Sequence, residues 1–130
     1  MKIELGERLK VLAEANDGFA DRINQEIEDM SKLKDYIWKA SYDERIGFTK
    51  NDNTFLVETS SHLYPNNRLV CELILSQLLA EIDEDGEIYA DGQNYIESYS
   101  FEVHYAEDKE QEAFGYAWQV VEAFVEALSE

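Results

Sequence analysis

Residues 65–86, PNNRLVCELILSQLLAEIDEDG, decide how the chain is organised. Pro65 suits the first turn of a helix, because its fixed φ matches and its missing N–H costs nothing there. Leu69, Leu73, Leu75, Leu78, Leu79 and Ile82 follow, apolar over more than half of a helical circumference. Asp85 and Gly86 stand at the usual helix-stop position. The segment therefore reads as a central core helix, and the flanking segments are placed around it.

Upstream, Ile46–Lys50 and Thr54–Ser60 are short β-prone runs separated by Asn51, Asp52 and Asn53, the pattern of a hairpin. Before them, Leu5, Leu9 and Leu12 make an apolar stripe that predicts a helix from Ile3 to about Ala15. Asn16, Asp17 and Gly18 form a turn, with Asp17 as N-cap of a longer helix from Phe19 to about Ala40. Phe19, Ile23, Ile27, Met30, Leu33 and Ile37 line that helix. Downstream, Glu87–Ala90, the turn Asp91-Gly92 and Tyr95–Ala106 predict a second hairpin. In its last strand Tyr99, Phe101, Val103 and Tyr105 alternate with Ser98, Ser100, Glu102 and His104, so one face is buried and one is wet. Asp108 to Leu128 reads as a closing helix with Phe114, Trp118, Val121, Val125 and Leu128 on one face.

The expected fold is α+β in the order ααββαββα, a four-stranded, mostly antiparallel sheet packed against helices. One domain is expected over residues 1–130, with a helical part to about residue 41 and two ββα units over about 45–82 and 87–129. Hydrophobic residues at 45% supply enough apolar material for a core.

Charge is the strongest compositional signal. The formal net charge is −18, with 29 acidic residues against 11 basic ones. From Met1 to Pro65 the net is −4, whereas from Asn66 to Glu130 it is −14, with Arg68 and Lys109 as the only bases. Such a surface repels nucleic acid and anionic membrane and attracts basic partners. No apolar run of bilayer length is present, and the single cysteine, Cys71, suits a buried free thiol in a reducing compartment. The expected location is the cytoplasm, the host cytoplasm for a virus-encoded chain.

The remaining chemistry is sparse. Asp83, Asp85, Gly86 and Ile88 match the middle of an EF-hand loop, but Glu81 falls at its first position and Gly92 where a bidentate glutamate is required. Gly6–Leu12, with Ala20 beyond, is faintly similar to the opening of small helix-turn-helix repressors. The segment that would read DNA, Asn24–Asp35, nevertheless holds four acids against two lysines. His62, His104 and Cys71 lie at spacings that match no zinc or Cys-His catalytic pattern. No catalytic, cofactor-binding or metal-ligating residue is therefore expected.

What stands out is an acidic and tyrosine-rich surface comprising Asp83, Glu84, Asp85, Glu87, Tyr89, Asp91, Tyr95, Glu97, Glu102, Glu107, Asp108, Glu110 and Glu112. Spread over a hairpin and a helix start, these carboxylates could approximate a phosphate backbone, with tyrosines as anchors. The expectation is a stoichiometric inhibitor of a basic nucleic-acid-binding protein or nuclease, by compositional analogy with anti-CRISPR and anti-restriction proteins. An immunity protein against a toxin nuclease uses the same physics. A helical adaptor or homodimerisation module, built on the long N-terminal stripe, is the reading from a different class.

Overall fold

The computed structural model describes residues 1–25, 30–82 and 84–130, with the backbone alone for residues 30, 80–82 and 88–91. It is α+β, with a curled antiparallel sheet of five strands. In chain order the elements are β1 (Lys2–Leu5), α1 (Glu7–Ala15), α2 (Asp17–Ile23), a 3-10 turn (Met30–Lys32), α3 (Leu33–Ser41), β2 (Glu44–Lys50), β3 (Asn53–Tyr64), β4 (Arg68–Ile82), β5 (Ile88–His104) and α4 (Glu110–Ser129). The strands lie in the order β1-β5-β4-β3-β2, so β2 to β5 form a meander and β1 closes the far edge.

The main correction to the sequence reading is β4, a 15-residue strand where a core helix was expected. Leu69, Cys71, Leu73 and Leu75 are all buried, a period of two that the interleaved Val70, Ile74 and Leu78 conceal. A continuous apolar run fits either period, and Pro65 tipped the reading towards a helix. The deciding signal is Asn66-Asn67. Both have positive φ, 66° and 55°, as do Asn51 and Asp52 at 53° and 65° in the β2–β3 turn. In the two-residue β2–β3 turn such a pair makes the connection whose twist matches the flanking strands, the three-residue β3–β4 turn places Pro65 before its pair, and Asn and Asp tolerate the left-handed conformation best after glycine.

Four further differences follow. Residues 2–5 pair with β5 as a strand, Leu5 opposite Phe101, and the first helix begins only after Gly6. The long N-terminal helix is not continuous: α2 stops at Ile23, α3 starts at Leu33, and Ile27 lies outside the described residues. Asn16 and not Asp17 caps α2, its Oδ1 accepting from the Phe19 N–H at 2.9 Å. Finally, Asp85-Gly86 belongs to the β4–β5 turn, while Gly92, at φ 105°, lies inside a single long β5. The sheet thus has no helix between its two halves, and the paired ββα units are replaced by one meander.

The inner face of the sheet is layered by register. Val57, Leu75 and Ile46 share one row, Thr59, Leu73 and Tyr99 the next, and Cys71 with Phe101 and Leu5 another. α4 covers this face. Its fully buried line runs through Ala113, Ala117, Val120 and Phe124, with Trp118 and Val121 beside it. Phe114, Val125 and Leu128 from the expected stripe are only partly buried. The small Ala residues let the helix approach, and Phe124 meets Tyr99 edge to face at 4.8 Å. Burying Phe101 and Phe124 contributes on the order of 1.5–3 kcal/mol each. α2 is lashed to α4: Arg22 pairs with both Glu122 and Glu126, and Gln119 Nε2 donates to the Arg22 carbonyl at 2.9 Å.

The strand reading of residues 68–82 is testable at its turn. Replacing Asn66 and Asn67 by glycine should leave stability nearly unchanged, whereas valine at both positions should cost about 1–2 kcal/mol per position in urea unfolding. A helix starting at Pro65 would show the reverse order.

Candidate protein-docking surface

β4 and β5 are much longer than the strands beside them, and this difference builds the surface. β3 pairs with β4 only as far as Phe55 opposite Gln77, and β1 pairs with β5 only from Phe101 to His104. Beyond Gln77, β4 and β5 continue as a two-stranded arm through Ala80 opposite Ala90 to Ile82 opposite Ile88. The five residues past Gln77 extend it by roughly 17 Å at about 3.3 Å per residue.

A register shift between Leu75 and Ser76 lies at the base of the arm, where Glu97 faces Leu75 but Tyr95 faces Ser76. Ile96 is the extra residue. One added residue reverses the side-chain alternation, so Tyr95 leaves the face of Tyr99. Its hydroxyl lies 2.9 Å from Ser98 Oγ, and its ring is 62% exposed. Ile96, Leu79 and Ile74 are exposed as well; Leu79 and Ile74 belong to the segment expected as a core helix, and Ile96 to the expected last strand. At the end of the arm, Glu84, Asp85 and Glu87 are exposed in and beside the turn.

The thirteen candidate residues do not form one patch. Asp83 lies outside the described residues, and for Tyr89 and Asp91 the description is limited to their backbone in β5. Glu107, Asp108, Glu110 and Glu112 gather at the opposite end of β5, around the start of α4. The 17 residues of β5 hold the two groups on the order of 50 Å apart. Between them the carboxylates are locally matched by cations. Glu97 Oε1 meets Arg8 Nε at 3.0 Å and Glu102 Oε1 meets Arg68 Nη1 at 3.4 Å, while within the group at the start of α4 Glu112 meets Lys109 Nζ at 3.4 Å. No ion pair reaches Glu84, Glu107, Asp108 or Glu110 among the described residues.

Two groups are shifted by their surroundings. Burial pushes the Tyr99 hydroxyl up to about 12, reinforced by its hydrogen bond to Glu97 Oε2 at 2.9 Å. Burial also pushes the Cys71 thiol up to about 11, against a smaller opposing effect of Ser61, whose Oγ is 3.3 Å from Sγ. Cys71 points into the core under α4, the environment that keeps a thiol protonated and unreactive.

No protein-family model, no curated protein and no solved structure matches the chain. Among the described residues no helix is long and apolar enough to cross a membrane. For Cys71, native protein at pH 8 should react with a thiol reagent at least a hundredfold more slowly than unfolded protein. Comparable rates measured by absorbance would place the thiol outside the core.

Proposed function

We propose that this chain is a stoichiometric binding protein that engages a basic, nucleic-acid-handling partner through the β4–β5 arm. One observation carries the reading: exposed Tyr95, Ile96 and Leu79 stand at the base of an arm whose end presents Glu84, Asp85 and Glu87. Aromatic and aliphatic anchors give a complex its short-range affinity, while the carboxylates steer a cationic partner and speed its encounter. The overall charge of −18 supplies the long-range field.

The mimicry is that of a short stretch of backbone at the arm and not of a continuous duplex face. The second acidic group, around Glu107–Glu112, lies too far along β5 to share a compact footprint with the first. A basic groove that normally holds single-stranded nucleic acid on aromatic and cationic side chains is the complementary surface. Inhibition by occupancy of that groove follows, in a nuclease, a restriction enzyme or a guide-directed effector alike. The N-terminal stripe is a weaker candidate for docking, since Phe19 is buried and Ile23 packs on the core.

Competition supplies the test. Labelled DNA or RNA bound to a panel of basic nucleases and effector complexes is titrated with the protein at about 50 and 300 mM salt, where screening lengths differ more than twofold. Displacement from one panel member should weaken at least tenfold at the higher salt. It should weaken at least as much in a Glu84→Gln, Asp85→Asn, Glu87→Gln variant or in Tyr95→Ala. A variant neutralised at Glu107, Asp108 and Glu110 should compete nearly as well as the parent. Displacement that depends on the latter group alone, or none across the panel, would refute the arm as the docking surface.

A further inference from the structure

On the outer face of the sheet, about as far from the arm as β5 allows, three metal-ligating side chains converge. Glu4 on β1 and Glu102 on β5 are register partners, and His104 lies two residues further along the same face of β5. His104 Nε2 is 3.2 Å from Glu4 Oε2 and 3.2 Å from Glu102 Oε2. The ligand atoms of the three residues all lie within 4.8 Å of one another.

Like charges directly opposite each other on paired strands are unfavourable, so the Glu4–Glu102 pair calls for a cation. Arg68 Nη1 binds Glu102, but on Oε1, the oxygen turned away from the imidazole. Arg68 is itself tied back by its Nε to the Pro65 carbonyl at 3.4 Å and stacks over Tyr64. It therefore fixes the carboxylate without filling the space between Oε2 and the ring. Lys2, the β1 partner of His104, is exposed at the sheet edge.

His104 Nε2 is the second observation. Although the ring is partly exposed, this atom is buried, and it makes no hydrogen bond of acceptable geometry with either oxygen. A nitrogen equidistant from two carboxylate oxygens, directed along neither, is poorly placed as an N–H donor and well placed as a lone-pair ligand. Donors bonded to Zn²⁺ at about 2.0–2.2 Å stand about 3.0–3.5 Å apart when adjacent in the coordination shell, the spacing that His104 Nε2 keeps to each of the two carboxylate oxygens.

We propose that Glu4, Glu102 and His104 form a binding site for a divalent transition-metal ion of the Zn²⁺ type. One imidazole and two carboxylates match borderline cations better than Mg²⁺ or Ca²⁺, which favour all-oxygen shells. Two negative charges neutralise the ion, and three protein ligands leave a fourth position for water or a partner's side chain. Arg68 acts as a positioning residue through its hold on Glu102 Oε1. The ion would join β1 to β5, fastening the N-terminal strand to the sheet.

Zn²⁺ alone is the probe, followed by calorimetry in excess Mg²⁺ so that diffuse binding to the acidic surface is suppressed. One ion per chain should bind, with affinity reduced at least tenfold in His104→Ala and in Glu4→Gln, and unchanged in His62→Ala. Glu4→Gln removes the carboxylate repulsion, so its loss of binding cannot come from a weakened sheet. NMR should show the His104 ring signals, and not those of His62, moving with added Zn²⁺. Equal binding in His104→Ala, movement of the His62 signals alone, or no saturable binding in the parent would each overturn the site.

Discussion

Every other element depends on β4 being paired on both edges while one of its faces is sealed. Its backbone N–H and C=O groups bond to β3 on one side and β5 on the other, which satisfies them without water. Its inward side chains, Leu69, Cys71, Leu73 and Leu75, then form the floor on which α4 rests. A one-residue slip would turn that row outward, so the Asn66-Asn67 turn, which fixes the register with β3, has consequences across the sheet. The register also puts Phe101 and Val103 beside Cys71 and Leu69, and through them β1 and α1 find their places.

Electrostatics follows the same frame. Several bases in the first half of the chain serve as internal ties. Arg8 holds Glu97, Arg22 holds two carboxylates of α4, and Lys50 Nζ donates to the Leu128 carbonyl at the end of α4, where positive charge suits the helix dipole. Arg68, from the acidic half, steadies Glu102. Exposed carboxylates stand at both ends of the long hairpin, Glu84, Asp85 and Glu87 at one and Glu107 and Asp108 at the other. A partner approaching either end of the hairpin meets carboxylates before it meets the body of the sheet.

Much of this was legible in residue order. The β2–β3 hairpin with its Asn-Asp turn, the alternation from Ser98 to His104, and the closing helix were all read near their observed bounds, because each has a pattern that only one structure satisfies. β4 was not, since an apolar run with both faces filled carries both periods at once, and the turn chemistry of Asn66-Asn67 was outweighed by Pro65. The acidic surface was visible as composition but not as geometry. Its division between two ends of β5 depends on strand length, which a turn at Asp91-Gly92 would cut short. The outward turn of Tyr95 depends on a bulge that no local motif announces. The meeting of Glu4 with Glu102 and His104 is a contact across about a hundred residues of sequence, set by the pairing of β1 with β5.

The long β4–β5 ribbon carries both the core and the docking surface, and amide hydrogen exchange followed by NMR measures it directly. The amides of Leu69 to Leu75 and of Tyr99 to Val103 should be the slowest in the protein, the arm beyond Gln77 should exchange faster, and Glu84 to Glu87 fastest, with cross-strand Hα contacts linking β4 to β3 and β5. Sequential helical amide–amide contacts through residues 68–82, with uniform protection up to Ile82, would contradict the ribbon and the surface built upon it.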